Sequence, residues 1–276
     1  MDKLYQKATK LRKLVLQMIH QAGSGHPGGS LSALDIITVL YFYEMRIDSK
    51  NPNWENRDRF VLSKGHACPA LYAALAEKGF FPKKDLFSLR KINSRLQGHP
   101  DMLTTPGVEM STGSLGQGFS AAIGMALAGK YIGKNFRVYV LLGDGELDEG
   151  EVWEGAMCAS HYELDNLVAI IDYNGLQSDN YNTKTMNFEP LVEKWKAFNW
   201  YTLEIDGHNI PQIVNAFNRA KRLKRKPTVI VAHTIKGKGV SFMEDNPKWH
   251  GSLAPDDEQL KIALDELDGK ELITNE

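Results

Sequence analysis

The chain has 276 residues, of which 42% are hydrophobic and 24% charged, a balance typical of a globular protein with a sizeable core. This composition excludes a disulfide-stapled mini-protein, a fibrous repeat and a chain that is disordered throughout. Lys and Arg total 33 and Asp and Glu total 34, which gives a formal net charge of −1. Because no basic field would attract nucleic acid or an anionic membrane, an anionic ligand would need a local site.

The two cysteines, Cys68 and Cys158, stand far apart and form no CxxC pair, so we predict two reduced thiols that pack as small buried hydrophobic side chains. The amino-terminal residues have the apolar spacing of an amphipathic helix rather than the core of a signal peptide. No apolar run elsewhere reaches the roughly 18 residues of a membrane span. The sequence therefore predicts a cytoplasmic protein with no membrane segment.

The first part of the chain predicts three helices and one strand. Apolar residues recur at helical spacing from Leu4 to Gln21, and a glycine-rich turn, AGSGHPGGS, follows this helix. A second helix starts near Ser32 and is apolar on most sides, which predicts its burial. A strand, RFVLS, and a third helix, ACPALYAALAEKG, come next. A long loop rich in Gly, Pro, Ser and Thr follows Gly98, and loops of this kind often carry function.

The most regular part of the chain is a βαβ unit with strand RVYVLLG, helix EVWEGAMCASHYE and strand LVAIIDYN, preceded by the helix FSAAIGMALAGKYIG. Continuously apolar strands are typical of a parallel sheet that is covered on both faces. Strands WYTLEID and PTVIVAHT follow, with a helix between them. We therefore predict an α/β fold with a doubly wound, mostly parallel sheet and helices on both faces. Residues 1–276 are predicted to form a single domain, with a charged helix and a frayed acidic tail from about residue 254.

Polar residues at two strand ends predict a metal site. Gly143, Asp144 and Gly145 end one strand, and Asn174 ends the next strand about thirty residues later. Because parallel strands one crossover apart end at the same edge of a sheet, the two side chains should converge. Their oxygens, together with a backbone carbonyl, suit Mg²⁺ or Ca²⁺ on a diphosphate. An ordinary glycine turn would explain the Gly-Asp-Gly motif, and an ordinary strand cap would explain Asn174, but neither explains why the two occur at neighbouring strand ends. The sequence has no P-loop motif that would suggest a nucleotide site instead.

Several longer segments occur in one order between about Lys10 and Gly251: GSGHPGGSLSALDIITVLY, FVLSKGHACPALYAAL, STGSLGQGFSAAIGMAL and GDGELDEGEVWEGAM, with DYNGLQ downstream. Together they resemble the amino-terminal, diphosphate-binding (PP) domain of transketolase, a thiamine diphosphate enzyme. The resemblance implies that Asp144, Asn174 and the main-chain carbonyl of Leu176 hold Mg²⁺, or Ca²⁺ or Mn²⁺, on the diphosphate of the cofactor.

The resemblance also implies catalytic roles for four loop histidines. His66 and His250 would contact the diphosphate, while His26, His99 and His250 would line the channel to the reactive carbon of the cofactor and bind substrate hydroxyls. Imidazole can donate to a developing alkoxide and relay protons near pH 7. His208 stands where it could also face this edge of the sheet. The other histidines are predicted to be structural: His20, His161 and His233.

Two loops contain the other cofactor-binding residues that the resemblance implies, namely Gly113, Ser114, Leu115, Gly143, Asp144, Gly145 and Glu146. The family commonly has a proline where this chain has Ser114, and contact through the backbone remains possible with serine. Glu149 resembles an acidic residue that links cofactor sites across a dimer. The helix dipole, which favours a carboxylate at the start of a helix, explains Glu149 equally well.

In this family a following domain carries the glutamate that activates the pyrimidine ring, and the chain ends before such a domain. We therefore expect the cofactor-diphosphate subunit of a split transketolase, active only with a separate chain that carries the pyrimidine-binding and carboxy-terminal domains. An α2β2 heterotetramer is the expected assembly. The reaction that the resemblance implies is transfer of a two-carbon ketol group from a ketose phosphate to an aldose phosphate.

Other functions stay open at this point. One is a split transketolase specialised for an unusual or branched sugar phosphate, such as apulose 4-phosphate. Another is a subunit of a different thiamine diphosphate enzyme, such as a deoxyxylulose phosphate synthase or a 2-oxo acid dehydrogenase, although the HPGG, KGHA and WHG motifs argue against the latter. A third is a non-catalytic binding module, against which the intact Asp144, Asn174 and loop histidines argue.

Overall fold

The structure of the protein is a computed structural model that describes residues 1–178 and 180–269. A parallel sheet with the order β1-β2-β3-β7-β6 forms its centre. The strands in the described residues are Arg59–Leu62 (β1), Val138–Gly143 (β2), Leu167–Tyr173 (β3), Leu176–Gln177 (β4), Asn180–Tyr181 (β5), Tyr201–Asp206 (β6) and Thr228–His233 (β7). Strands β4 and β5 form a separate antiparallel hairpin.

Helices surround the sheet. Within the same residues they are Asp2–Ala22 (α1), Pro27–Val39 (α2), Cys68–Lys78 (α3), Gln117–Tyr131 (α4), Gly150–His161 (α5), Asn182–Thr185 (α6), Leu191–Ala197 (α7), Ile210–Arg222 (α8) and Asp257–Leu267 (α9). A π-helical turn, Leu40–Glu44, continues α2. Short 3₁₀ turns lie at Gly65–Ala67, Lys83–Ser88, Gly145–Asp148 and Pro247–Trp249.

The sheet has a hydrophobic core on each face. Because successive side chains of a strand point to opposite faces, Tyr139 and Leu141 of β2 pack on one side, and Val140 and Leu142 on the other. Helices α1, α2, α3 and α8 contribute to the first core, and α4, α5 and α7 to the second. The predicted α/β fold, a mostly parallel sheet with helices on both faces, is confirmed.

Helix α2 begins earlier than predicted. The prediction of a start near Ser32 is wrong, because α2 starts at Pro27 with His26 as its N-cap. Proline fits the first helical position, where no backbone donor is needed. The glycines that suggested a turn serve close packing instead, since a Cβ on Gly28 would lie 2.7 Å from the carbonyl oxygen of Trp249. All of α2 is buried, as its apolar sequence predicted.

Some local features differ from the sequence interpretation or lie beyond it. Cys68 is buried as predicted, whereas Cys158 is only half-buried, at the margin of the second core. Neither the β4–β5 hairpin nor α7 was predicted, although Trp195 of α7 is fully buried in the second core. The predicted charged helix is α9, which Asp256 and Gln259 cap reciprocally. The predicted frayed tail lies mostly outside the described residues.

No helix in the described ranges is both long enough and apolar enough to cross a membrane.

A buried ionic cluster joins α1, α2 and the loops that follow β6 and β7. The guanidinium of Arg12 donates to both oxygens of Asp35, at 3.1 and 2.6 Å. His208 Nδ1 donates to Asp35 Oδ2 at 2.8 Å, and His208 Nε2 accepts the N–H of Ile235 at 2.8 Å. Burial alone would raise the pKa of Asp35, but the charge of Arg12 and the bond from His208 outweigh it and hold that pKa below its usual value.

We expect Asp35→Asn to lower the free energy of unfolding by about 3–5 kcal/mol, because it leaves the guanidinium of Arg12 buried without an anionic partner. Urea unfolding followed by circular dichroism measures this loss. As a control, His233→Gln removes an exposed pairing with Glu204 and should change the unfolding free energy by less than about 0.5 kcal/mol. A loss for Asp35→Asn no larger than that of the control would contradict the prediction.

Candidate active site

A cavity of about 420 Å³ lies at the carboxyl ends of the parallel strands. Its walls include Lys64 after β1, Asp144 after β2, Asn174 after β3 and Lys236 after β7. Ligands of open α/β sheets bind at this edge. Every site residue predicted from the sequence lines the cavity except Ser114, which is exposed between Gly113 and Leu115: His26, His66, His99, Gly113, Leu115, Gly143, Asp144, Gly145, Glu146, Asn174, Leu176 and His250.

Asp144 is held by donors from two turns. Its Oδ2 accepts the N–H groups of Asn174 and Gly175, at 3.0 and 2.7 Å, and the side-chain amide of Asn182 at 2.9 Å. Its Oδ1 accepts the N–H of Gly145 at 2.9 Å. Burial raises the pKa of Asp144, so a cation beside this carboxylate would stabilise its charged form.

The other two predicted metal ligands lie in the turn after β3. Asn174 Oδ1 accepts the N–H of Leu176 at 3.2 Å. The carbonyl oxygen of Leu176 accepts a hydrogen bond from Lys236 Nζ at 3.0 Å. Sequence reasoning missed Lys236, which is 2% exposed and follows β7 within three residues. The signal was its place after a strand that ends at the same edge as β2 and β3.

A second buried lysine, Lys64, lines the cavity and was also missed. Lys64 Nζ forms an ion pair with Asp172 and donates to the carbonyl oxygen of Gly29 at 3.0 Å. Asp172 also accepts the hydroxyls of Ser32 and Thr234. Burial would raise the pKa of Asp172, but the charge and hydrogen bond of Lys64 hold it below the usual value. The carboxylate is therefore satisfied by the protein alone.

Three histidines form a cluster on one side of the cavity. The ring centroids of His26 and His66 lie 5.2 Å apart, those of His66 and His250 5.4 Å, and those of His26 and His250 5.8 Å. Burial, together with smaller effects of nearby charges including Lys236, lowers the pKa of His26 to about 4 and that of His250 to about 3. The pKa of His66 is also well below its usual value, mainly through burial and then through Lys64. The three rings are therefore neutral at pH 7.

His99 and Gly113 meet on another part of the wall. A Cβ on Gly113 would lie 3.1 Å from His99 Cδ2, so glycine allows the loop to approach the ring. Burial, followed by the charge of Arg90, lowers the pKa of His99. The backbone at Gly113 and the side chain of Leu115 thus form the side of the cavity that includes His99.

Glu146 and Glu149 differ in what their carboxylates contact. Glu146 is buried, and it accepts the hydroxyl of Ser63 and the N–H groups of Gly116 and Gly143, the latter two at 2.9 and 3.0 Å. These bonds join the turn after β2 to the start of α4. Glu149 is exposed at the N-cap of α5 and lines the open part of the cavity. Glu146 therefore shapes the turn, while Glu149 remains accessible.

The remaining four histidines lie away from the cavity, as predicted for three of them. His20 Nδ1 pairs with the carbonyl oxygen of Pro255 at 2.8 Å, His161 is exposed on α5, and His233 pairs with Glu204. His208, which the sequence left as a candidate, uses both ring nitrogens in the cluster with Asp35. It is therefore a structural residue.

The arrangement of oxygen ligands, buried cations and neutral histidines at the carboxyl edge of a parallel sheet is a site for an anionic cofactor. Residues 4–266 match the family described as transketolase, thiamine diphosphate binding domain. The chain belongs to the transketolase family, whose members are transferases, and its match is to the thiamine diphosphate-binding domain.

Two of the most similar proteins are subunits of nearly the same length. The chain is 49% identical over 265 residues to the 6-deoxy-6-sulfo-D-fructose transketolase subunit SqwG of Clostridium sp. (strain MSTE9), covering 96% of each chain. It is 42% identical over 261 residues to a subunit of the apulose-4-phosphate transketolase of Phocaeicola vulgatus, covering 95% of this chain and 92% of the relative.

Longer transketolases match this chain over part of their length. The chain is 47% identical over 249 residues to human transketolase, covering 90% of this chain and 39% of the human protein. The structure of transketolase from Leishmania mexicana superimposes with a TM-score of 0.92 at 32% identity, covering 97% of this chain and 41% of that one. The chain thus spans about two fifths of these single-chain relatives.

The histidine cluster predicts acid sensitivity. In the unfolded chain His250 protonates near pH 6.5, whereas in the folded chain its pKa is about 3. Stability contributed by neutral His250 is therefore complete above pH 6.5 and is lost as the pH falls below that value.

We expect the unfolding free energy of His250→Gln to fall less than that of the wild type when the pH is lowered from 7 to about 4.5, as measured by urea unfolding. His161→Gln, on the surface, should behave as the wild type, and equal losses for His250→Gln and wild type would contradict this account.

Proposed function

We propose that this chain is the cofactor-diphosphate subunit of a two-chain transketolase that transfers a two-carbon ketol group from a ketose phosphate to an aldose phosphate. The observation that carries the proposal is the convergence of Asp144, Asn174, the Leu176 carbonyl and Lys236 on one cavity wall, beside the neutral histidine cluster. This set can hold a diphosphate through a metal and an ammonium while imidazoles face the substrate side.

The residues present fit a divalent cation and a diphosphate. Carboxylate, amide and carbonyl oxygens are the hard ligands that Mg²⁺ prefers, and Ca²⁺ or Mn²⁺ accepts the same set. His250 Nδ1 is buried and has no hydrogen-bond partner within the described part of the chain. Because buried polar atoms are usually paired, this nitrogen favours a bound polar ligand. In this proposal Asp144, Asn174 and the Leu176 carbonyl hold the metal, and Lys236 and His250 contact the diphosphate.

The protein groups bind and orient, and hold protons at defined atoms. Thiamine diphosphate, when bound, supplies the nucleophilic carbon and the electron sink for cleavage of the ketose. The neutral imidazoles of His26, His66 and His250 can donate to sugar and phosphate oxygens at pH 7, and His99 adds a further imidazole to the cavity lining. Donors fixed before reaction favour developing negative charge on oxygen without reorganisation. Gly113 and Leu115 contribute a backbone and an apolar contact to the cofactor rings.

In this proposal, a partner chain carries the region of the longer transketolases that this chain does not match. Two relatives that match nearly the whole chain are named as subunits, and the chain covers 39% of the human protein. In the proposal, the partner contributes the pyrimidine-binding domain with its activating glutamate and the carboxy-terminal domain. Two copies of each chain form an α2β2 assembly, and the isolated chain does not turn over.

A second candidate is a split transketolase for an unusual anionic sugar. The specific observation in its favour is that the two similar subunits are named for 6-deoxy-6-sulfo-D-fructose and apulose 4-phosphate. The cavity of this chain suits either candidate, because the roles proposed for its described polar residues concern the cofactor and the ketol group, which both reactions share.

Reconstitution tests the proposed function. The chain, purified together with its carboxy-terminal partner, thiamine diphosphate and Mg²⁺, should transfer a ketol group from a ketose phosphate to an aldose phosphate, while either chain alone should not. A panel of donors that includes sulfofructose and apulose 4-phosphate separates the two candidates. Inactivity of the defined complex on every donor in the panel would overturn both.

Asp144→Ala should weaken Mg²⁺-dependent binding of thiamine diphosphate to the complex by at least ~10–100-fold, because the metal loses its carboxylate ligand. Isothermal titration calorimetry with and without Mg²⁺ measures this loss. Asp257→Ala, on exposed α9, is the matched control and should bind as the wild type. Unchanged affinity in Asp144→Ala would show that the metal lies elsewhere.

A further inference from the structure

Arg90 contacts one histidine of the cluster from outside the cavity wall. Its Nη2 lies 3.2 Å from Nδ1 of His26, and its Nη1 donates to the hydroxyl of Ser24 at 3.0 Å. These two residues belong to the segment that leads into α2, whereas Arg90 belongs to the loop after the 3₁₀ turn Lys83–Ser88. The guanidinium therefore ties two loops together at a predicted catalytic residue.

The backbone at Arg90 is held in an unusual conformation. Its φ is 61°, in the left-handed region that residues other than glycine rarely adopt. The N–H of Arg90 donates to the carbonyl oxygen of Leu96 at 2.8 Å, which closes the loop. Gly98 gives the guanidinium room, since a Cβ there would lie 3.2 Å from Arg90 Nε. Residues held in such conformations concentrate at functional sites, where the surroundings maintain them.

The contact fixes which nitrogen of His26 carries the proton. Arginine has only donors, so His26 Nδ1 must accept the hydrogen bond from Arg90. A neutral His26 then carries its proton on Nε2. Glycine at position 251 lets the backbone pack closely beside this nitrogen, since a Cβ there would lie 2.5 Å from it. His26 also lines the cavity, where its N–H can serve as a donor to a ligand oxygen.

We propose that Arg90 is a positioning residue that fixes His26 as a neutral imidazole with its proton on Nε2, so that His26 meets a sugar oxygen as a hydrogen-bond donor rather than as a base. The identity of that oxygen rests on the proposed function, whereas the protonation of the ring is a property of this chain alone.

Arg90 is not the main cause of the low pKa of His26, so its effect on the position of the proton can be tested separately. Burial is the largest cause that lowers the pKa of His26, followed by the charges of Arg90, His99 and Lys236. The rings of His66 and His250 also face it. Removal of Arg90 leaves burial and Lys236 in place, so His26 remains neutral at pH 7. What changes is the ratio of the neutral ring protonated on Nδ1 to the neutral ring protonated on Nε2.

Nuclear magnetic resonance on the full chain with ¹⁵N-labelled histidine measures that balance. Long-range ¹H–¹⁵N correlations at pH 7.5 report the protonated nitrogen of each ring, and loss of one ring's signals in His26→Gln assigns them. We expect the wild type to show His26 protonated on Nε2. Arg90→Met should show a mixture of both neutral forms and a pKa of His26 higher by about 1 unit. Arg90→Lys, which retains a donor, should restore part of the wild-type signal.

Arg95→Met is the matched control, because it removes a guanidinium from the same loop that faces Asp85 instead of a histidine. Its His26 signals should equal those of the wild type. A wild-type His26 protonated on Nδ1 would overturn the proposal without any variant, and so would an unchanged ring in folded Arg90→Met. If Arg90→Met does not fold, the wild-type and Arg90→Lys spectra still decide the matter.

Kinetics of the reconstituted complex separate this proposal from the proposed function. Arg90→Met should lower kcat roughly 10-fold with a smaller change in KM, because the donor is present but no longer held in one form. Absence of ketol transfer by the wild-type complex would overturn the proposed function and leave the ring protonation intact. If Arg90→Met changed the protonation of His26 but kept the wild-type kcat, Arg90 would have only a structural role.

Discussion

The buried ion pair between Lys64 and Asp172 is the constraint around which the site is built. Each charge is almost completely removed from water, so each needs the other and a full set of hydrogen bonds. Those bonds come from Ser32 and the Gly29 carbonyl on α2 and from Thr234 after β7. The pair of Lys64 and Asp172 thus fixes the relative positions of β1, β3, β7 and the first two turns of α2. The cavity wall depends on all four.

The site combines two buried lysines with a cluster of three histidines. Lys64 and Lys236 place positive charge in the cavity wall, and burial, with these charges as smaller causes, lowers the pKa values of His66 and His250. An anion is then attracted by the fixed cations, while the imidazoles are free to act as neutral donors and acceptors. The position of a proton in the cavity, such as that on His26, therefore depends on contacts such as the one with Arg90 more than on the pH of the solvent.

The fold could be predicted from the sequence because its apolar strands and their turns give strong local signals. Asp144 and Asn174 were found for the same reason, since the ends of parallel strands meet at one edge. The histidines needed the family resemblance, because nothing local distinguishes a loop histidine in a cavity from one on the surface. Lys64 and Lys236 were missed, since burial of a lysine depends on distant partners. The start of α2 was misplaced because Pro27 and its glycines are also typical of a turn.

The order of the strands has a consequence for how the chain folds. Two of the four pairings in the parallel sheet join strands that are distant in sequence, Arg59 with Val138 and Val168 with Thr228. These two pairings must close a long loop before their contacts form, which slows folding relative to a protein with local contacts. The cavity draws on the turns after four of these strands, so no early hairpin or helical fragment contains it. Ligand-binding competence should consequently emerge only in the last stage of folding, together with the completed sheet.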